Sequence, residues 1–260
     1  MIIRNDNITE ASLGSSSDLN AAAYISKLIS SGGTVNSTIV DAVNNLFLDL
    51  KSNELYTKVK RLYPMVGSTQ SACSLEAKLT GHNILWNNST GFVFNENGIT
   101  CNGYDVRNPA YISQTPYAIF GSNTNIGFTM YNRTSRGAEA NFPIAANNGA
   151  NKFFQLNINY DGNNYAWLGA SQPSFTAGLS TGLFALSRTS DTSIKFYRNG
   201  VLQVEDTTSG SLNSNNPIDL FDYTTDNFAF LSLNDGMNPA ESLTFYTIVQ
   251  NFQTALGRAV

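Results

Sequence analysis

Ile194-Lys-Phe-Tyr-Arg-Asn-Gly-Val-Leu-Gln-Val-Glu205 sets an Asn199-Gly200 pair between two runs rich in β-branched and aromatic residues. A two-residue type I′ turn needs φ > 0 at both central positions, and Asn-Gly meets that need at the least steric cost. The stretch therefore predicts a β-hairpin. Alternation places Ile194, Phe196 and Arg198 on one face of the first strand, with Lys195 and Tyr197 on the other. On the second, Val201, Gln203 and Glu205 oppose Leu202 and Val204. Neither strand alternates cleanly, so the register of the hairpin is specified better than its buried face. A lone hairpin is marginal in water, so neighbouring strands must extend it into a sheet.

Working outward, the 260 residues suit one large β-domain or two small ones. Charged residues are 13% of the chain, about half the usual share of ~25%, and Asn, Ser, Thr and Gly take their place. That mixture suits an all-β protein with many polar loops. A net charge of −4 argues against nucleic acid as a partner, which would need a concentrated basic face. No apolar run approaches the ~20 residues of a membrane span, and Met1-Ile2-Ile3-Arg4 is too short for a secretory core, so neither membrane nor secretion is expected. The Asn-x-Ser/Thr tripeptides at Asn7, Asn36, Asn88 and Asn132 are chance matches in so Asn- and Thr-rich a chain. Cys73 and Cys101 are expected as two free, buried thiols on neighbouring strands, since two cysteines make no disulfide framework.

Residues 1–35 are polar and small, with Ser15-Ser16-Ser17 and Ser30-Ser31-Gly32-Gly33 reading as linker. This segment is expected to be a flexible arm or an attachment peptide, mobile alone and ordered on a partner, with a short helix within Leu19–Ile29. Residues 36–64 read as helical. Asn36 or Ser37 caps a stripe of Ile39, Val43, Leu46 and Leu50, and Leu55, Val59 and Leu62 continue the period into a second short helix that Pro64 ends. Lys51, Lys58, Lys60 and Arg61 make it the most basic stretch, a solvated face more simply than a patch for an acidic partner.

From Met65 onwards the period changes to 2. Strands are predicted at 74–79, 91–94, 99–102, 125–132, 140–146, 152–160, 165–168, 183–187, across the hairpin, and at 218–221 and 227–233. Phe228 and Phe230 would share one face of the last strand, opposite Ala229, Leu231 and Leu233. Many short strands with recurring turn signals specify a β-sandwich or barrel rather than alternating β-α units. The chain closes with a helix: Asn238 as N-cap, Pro239 at the first helical position, Glu241 for a capping box, and Phe245, Val249, Phe252 and Leu256 as the docking stripe. Gly257 supplies the left-handed stop.

Tyr56-Thr-Lys-Val-Lys-Arg-Leu-Tyr-Pro-Met-Val-Gly67, the Arg188-Thr-Ser…Asn199-Gly200 hairpin and Phe245-Tyr-Thr-Ile-Val-Gln-Asn-Phe-Gln-Thr-Ala-Leu-Gly-Arg258 together resemble a group of tailed-bacteriophage virion proteins frequent in crAss-like and other Bacteroidetes phages. The resemblance runs from about Ile39 to the end and is weaker over 82–116. It implies an antiparallel, concanavalin-like (LamG-like) jelly-roll β-sandwich over residues 65–260, with a helical preface and a C-terminal helix. It further implies a non-enzymatic virion structural protein, a capsid-surface decoration or head-fibre component assembled in the host cytoplasm. Its partners would then be other virion proteins and copies of itself, a trimer suiting a fibre. The alternative is a receptor- or glycan-binding module of a phage tail or fibre that meets a host surface glycan, and a glycan-cleaving enzyme stands third.

Glycoside hydrolysis needs two carboxylates flanking the bond, and no Glu-x-Asp-x-x-Glu pattern is present; Glu205 and Asp206 are adjacent and would point to opposite faces. His82 is the only histidine, with no nucleophile motif around it. Asn157-x-Asn159-x-Asp161-Gly162 mimics a calcium loop but has Leu168 where the closing acid belongs, so it reads as a turn. No catalytic, metal or cofactor-binding residues are therefore assigned, and no cofactor is expected. For glycan binding, Trp86, Tyr165 and Trp167 are the candidates to stack on sugar rings, although Trp167 sits in an apolar strand where core packing is the simpler account.

Overall fold

Asn199 and Gly200 adopt φ of 49° and 74°, so the type I′ hairpin forms as the sequence requires. The computed structural model describes residues 17–101, 109–122, 124–134, 142–147, 153–169, 171–178, 180–209 and 216–260. In chain order the elements are α1 (Leu19–Ser30), α2 (Ser37–Ser52), β1 (Val59–Tyr63), α3 (Gln70–Cys73), β2 (Leu85–Trp86), β3 (Phe92–Asn95), β4 (Gly98–Cys101) and β5 (Ala110–Ile112). There follow α4 (Pro116–Phe120), β6 (Ile126–Asn132), β7 (Phe142–Asn147), β8 (Phe153–Tyr160), β9 (Asn163–Gly169), β10 (Ser174–Thr176) and β11 (Gly182–Ser190). The hairpin strands β12 (Ser193–Arg198) and β13 (Val201–Asp206), then β14 (Ile218–Asp222), β15 (Asn227–Asn234) and α5 (Pro239–Ala255) complete the chain.

The strands form two antiparallel sheets. One runs β13-β12-β11-β6-β15-β4-β3, with β1 pairing Leu231–Asn234 of β15 on the edge whose other end meets β4; the second runs β10-β9-β8-β7-β14-β5-β2. Strands distant in sequence lie side by side, as β6 does between β11 and β15, and the two sheets pack face to face as a jelly-roll sandwich. Ile126, Phe128, Met130, Leu186 and Phe196 meet Ile144, Phe154, Leu156, Leu168 and Leu220 in the core between them. Phe128 and Phe154 join the sheets edge to face at 4.8 Å.

The far face of the eight-stranded sheet is covered by helices. Tyr131, Leu183, Ala229 and Phe230 pack there against Val43, Phe47, Phe245, Val249 and Phe252 of α2 and α5. A β-bulge makes this possible: Phe228 lies opposite Asn132 and Phe230 opposite Tyr131, so the ladder slips between them. Phe228 enters the inter-sheet core while Ala229 and Phe230 face the helices. The shared face expected for Phe228 and Phe230 is thus split, because an extra residue interrupts the period of 2. On α5, Asn238 and Glu241 close the capping box.

The expected arm does not stand apart where it is described. Ala21, Tyr24, Ile25 and Leu28 of α1 are buried in the helical core, and Asp18 caps α1 while its carboxylate meets Lys51 Nζ at 2.6 Å. A short amphipathic helix is docked by the apolar face it shares with α2, which composition alone does not reveal. Residues 1–16 lie outside the described residues. The expected second helix over 55–62 is instead a turn and β1, because β15 offers its edge and the strand buries Val59 and Leu62 beneath the helices. The expected strand at 74–79 is a coil wrapped around buried Glu76, whose carboxylate accepts N–H bonds from Leu62, Lys78 and Thr80. A buried carboxylate needs that many donors, and a strand could not supply them locally.

The basic stretch is largely tied down: Lys58 pairs with Glu241 at 2.7 Å, Lys60 with Asp235 at 2.8 Å, and Arg61 bonds Gln114. Cys73 and Cys101 are buried thiols outside any disulfide, but Cys73 closes α3 and only Cys101 is on a strand. Among the described residues no helix is long and apolar enough to cross a membrane.

Candidate functional site

The seven-stranded sheet has one face in the inter-sheet core, and among the described residues no helix covers the other. Alternation along its strands decides which side chains reach that outer face. In β9, Ala166 and Leu168 point into the core, so Tyr165 and Trp167 point out, and both are half-buried. In β8, Phe154, Leu156 and Ile158 point in, which turns Gln155 and Asn157 outward. The ladder then lines up Tyr111, Asp219, Ala145, Gln155 and Trp167 across five strands. Asn157, Tyr165 and Ser174 form a second row beside it.

Local turn chemistry sets this register. Asp161 and Gly162 have φ of 49° and 75°, joining β8 to β9 by the same left-handed pair of conformations as the Asn-Gly hairpin. The calcium-like motif is therefore a hairpin end, and among the described residues no group of His, Cys, Asp or Glu could hold a metal ion. Asn159, at φ 53°, lies within an irregularity between Asn157 and Tyr160, and its N–H donates to Asn164 Oδ1 at 2.9 Å. The irregularity breaks the alternation of β8 and brings exposed Tyr160 within 6.2 Å of the Tyr165 ring.

Tyr165 and Trp167 stack at 5.7 Å between ring centroids with an interplanar angle of 22°, and both are half-buried. Beside it, Gln155 Nε2 donates to Asn157 Oδ1 at 2.7 Å, and both amides are nearly buried. Further along the row stands Asp219, whose carboxyl is pushed up to about 6, first by burial and then by the nearby charge of Asp222. The arrangement offers two stacked, half-buried aromatic rings, a hydrogen-bonded amide pair and one carboxyl group. It is suited to recognising a ring with one apolar face and a polar rim.

The three sequence candidates separate. Tyr165 and Trp167 come together on the outer face, against the expectation that Trp167 would pack in the core. Trp86 lies at the opposite edge of the sheet, stacked on Phe221 at 5.9 Å, edge-on to Phe92 and Phe94, with Nε1 donating to Ser74 Oγ at 2.7 Å. Its ring is committed to the core. His82 offers its carbonyl to the Tyr63 hydroxyl at 2.6 Å. Glu205 pairs with Lys195 and Asp206 accepts from Ser171, so these neighbours do point apart. Gln155, Asn157, Tyr111 and Asp219 were missed by sequence reasoning. Two amides alternating with Phe154, Leu156 and Ile158, and a single charge inside Ile218-Asp-Leu-Phe, were the available signals.

No known protein family profile matches the chain, and no curated protein matches it in sequence. Solved structures do match its fold. The binding domain of botulinum neurotoxin serotype G is similar over 73% of this chain, with a TM-score of 0.51 and 15% identity, and this chain covers about half (51%) of that domain. A Trypanosoma rangeli sialidase mutant displaying trans-sialidase activity matches 81% of this chain and 39% of its own, with a TM-score of 0.54 and 10% identity. The T. rangeli sialidase in complex with sialic acid matches 72% of this chain and 32% of its own, at a TM-score of 0.51 and 11% identity. At such identities the likeness establishes a shared β-sandwich fold.

Proposed function

We propose that this chain is a non-catalytic glycan-binding module. The observation that carries the reading is the stacked Tyr165–Trp167 surface beside the Gln155–Asn157 amide pair, on the sheet face that no described helix covers. An aromatic ring packs against the C–H face of a pyranose, and polar side chains at its border fix the orientation of its hydroxyls. Shared fold with a toxin binding domain and with a sialidase seen in complex with sialic acid is compatible with this use, although fold does not fix function. The strand carboxylates favour binding without cleavage: among the described residues the strands of this sheet carry Asp219 and Asp222, both on β14, whereas hydrolysis needs a pair flanking the bond.

Screening the full chain against immobilised glycans, then titrating the hits by calorimetry, tests the reading. Trp167→Ala should weaken binding by about tenfold or more, about 1.4 kcal/mol, without lowering the melting temperature appreciably. Unaltered affinity would remove the site, and release of reducing ends would remove the non-catalytic part. The resemblance to tailed-phage virion proteins favours a finer version in which the module sits on a virion surface and meets a host glycan. Detection of the chain in purified particles tests that version separately.

A further inference from the structure

Resting on the glycan-binding reading, we infer that the outer face takes an uncharged glycan chain of several sugars, laid across the strands from Trp167 towards Tyr111, and discriminates against sialylated or uronic chains. The extent comes from the ladder. Trp167, Gln155, Ala145, Asp219 and Tyr111 occupy five consecutive strands. At about 4.8 Å per strand the row is roughly 19 Å long, more than one pyranose ring spans. Aromatic residues stand at both ends, and Ala145 is the smallest side chain of the row.

The choice of charge comes from where the cations are. Among the described residues, none of the seven strands of this sheet carries a Lys or Arg. The strand-borne cations, Lys60, Arg61, Arg188, Lys195 and Arg198, all belong to the other sheet. The charges on this sheet are Asp219 and Asp222, and burial already disfavours the ionised form of Asp219. A carboxylate so placed accepts hydroxyl donors readily, but a second carboxylate beside it adds like-charge repulsion in a partly dry site. A sialic acid carboxylate would need a cationic donor fork, and among the described residues this face has none.

Calorimetry on the full chain with neutral tetrasaccharides of gluco, xylo, arabino and manno type, and with sialic-acid- or uronate-bearing chains of equal length, provides the test. At least one neutral tetrasaccharide should bind about tenfold more tightly than every acidic chain. Asp219→Asn should narrow that gap to about threefold or less. Ala145→Trp should weaken the tetrasaccharide about tenfold while leaving a disaccharide of the same sugar within about threefold. Acidic chains binding as tightly as neutral ones, with loss in Trp167→Ala, would overturn this inference and leave the glycan-binding reading standing. Equal affinity for disaccharide and tetrasaccharide would overturn the extended footprint. Failure of every glycan to bind would overturn both.

Discussion

Asp219 is the residue where stability and recognition meet. Its carboxyl titrates near 6 in the folded chain and from about 3.8 when free of the fold. Between those values the native state holds more protons than the unfolded state, so stability must fall as pH rises from about 4 to about 6, and level off above. The group is only partly buried, so solvent screening limits the effect to on the order of 1 kcal/mol. Asp219→Asn should remove this slope and gain about that much at pH 7. Urea midpoints of both proteins at pH 4, 5 and 7 check it; a constant difference across the three would mean that the burial is not felt. The Tyr165–Trp167 pair and Asp219 owe their exposure to alternation, but their proximity to one another owes everything to the register of β14, β7, β8 and β9.

Among the elements, α5 does most to lock the sandwich to its helices. Phe252 is buried and meets Phe230 edge to face at 6.3 Å. Phe252→Asp should therefore cost ~2 to 5 kcal/mol from lost packing, before the added cost of a buried charge. Leu256 is only partly buried at the C-cap, so Leu256→Asp should cost distinctly less. Just past the helix, Arg258 is almost fully buried. It donates to Gln253 Oε1 and to the carbonyls of Pro64, Met65 and Ala229. One guanidinium thus ties α5 to the chain after β1 and to the bulge of β15. Arg258→Met should deprive Gln253 Oε1 and the carbonyls of Pro64 and Met65 of this donor, leave Ala229 O only Gln253 Nε2, and cost ~3 kcal/mol or more. Chemical denaturation of the three variants gives the order: Leu256→Asp above Arg258→Met and Phe252→Asp. Equal midpoints for parent and Arg258→Met would show that water replaces the side chain.

At the scale of the whole molecule there are three layers: helices, the eight-stranded sheet, and the seven-stranded sheet, whose outer face no described helix covers. The helical layer closes one side, and the proposed recognition face is the other. Because α1 belongs to that layer, deleting residues 1–33 removes Tyr24, Ile25 and Leu28 from a core they share with Val43, Phe47 and Tyr131. The truncated chain should melt about 10 °C or more below the parent, the equivalent of several kcal/mol for a domain of this size. A melting temperature within a degree or two of the parent would mean that α1 contributes nothing to the fold. Glycan binding, if the truncated chain stays folded, should persist, since the site lies on the far sheet.

Taken alone, the sequence determined the features that depend on near neighbours. The two φ > 0 turns at Asn199-Gly200 and Asp161-Gly162, the capping box of Asn238 and Glu241, and the mainly β, antiparallel character follow from local sterics and period, and all form. Tyr165 and Trp167 were legible as an aromatic pair two residues apart on one strand. What only the tertiary structure decided is which face each strand turns to solvent. A single bulge in β15 reversed the face of Phe230, and the edge of β15 made 59–63 a strand rather than a helix. Asp219, Ala145, Gln155 and Trp167 come from four strands, and nothing in their spacing marks them as neighbours. Register between strands is set by long-range packing of the two cores, and a one-residue slip would send the whole row to the other face.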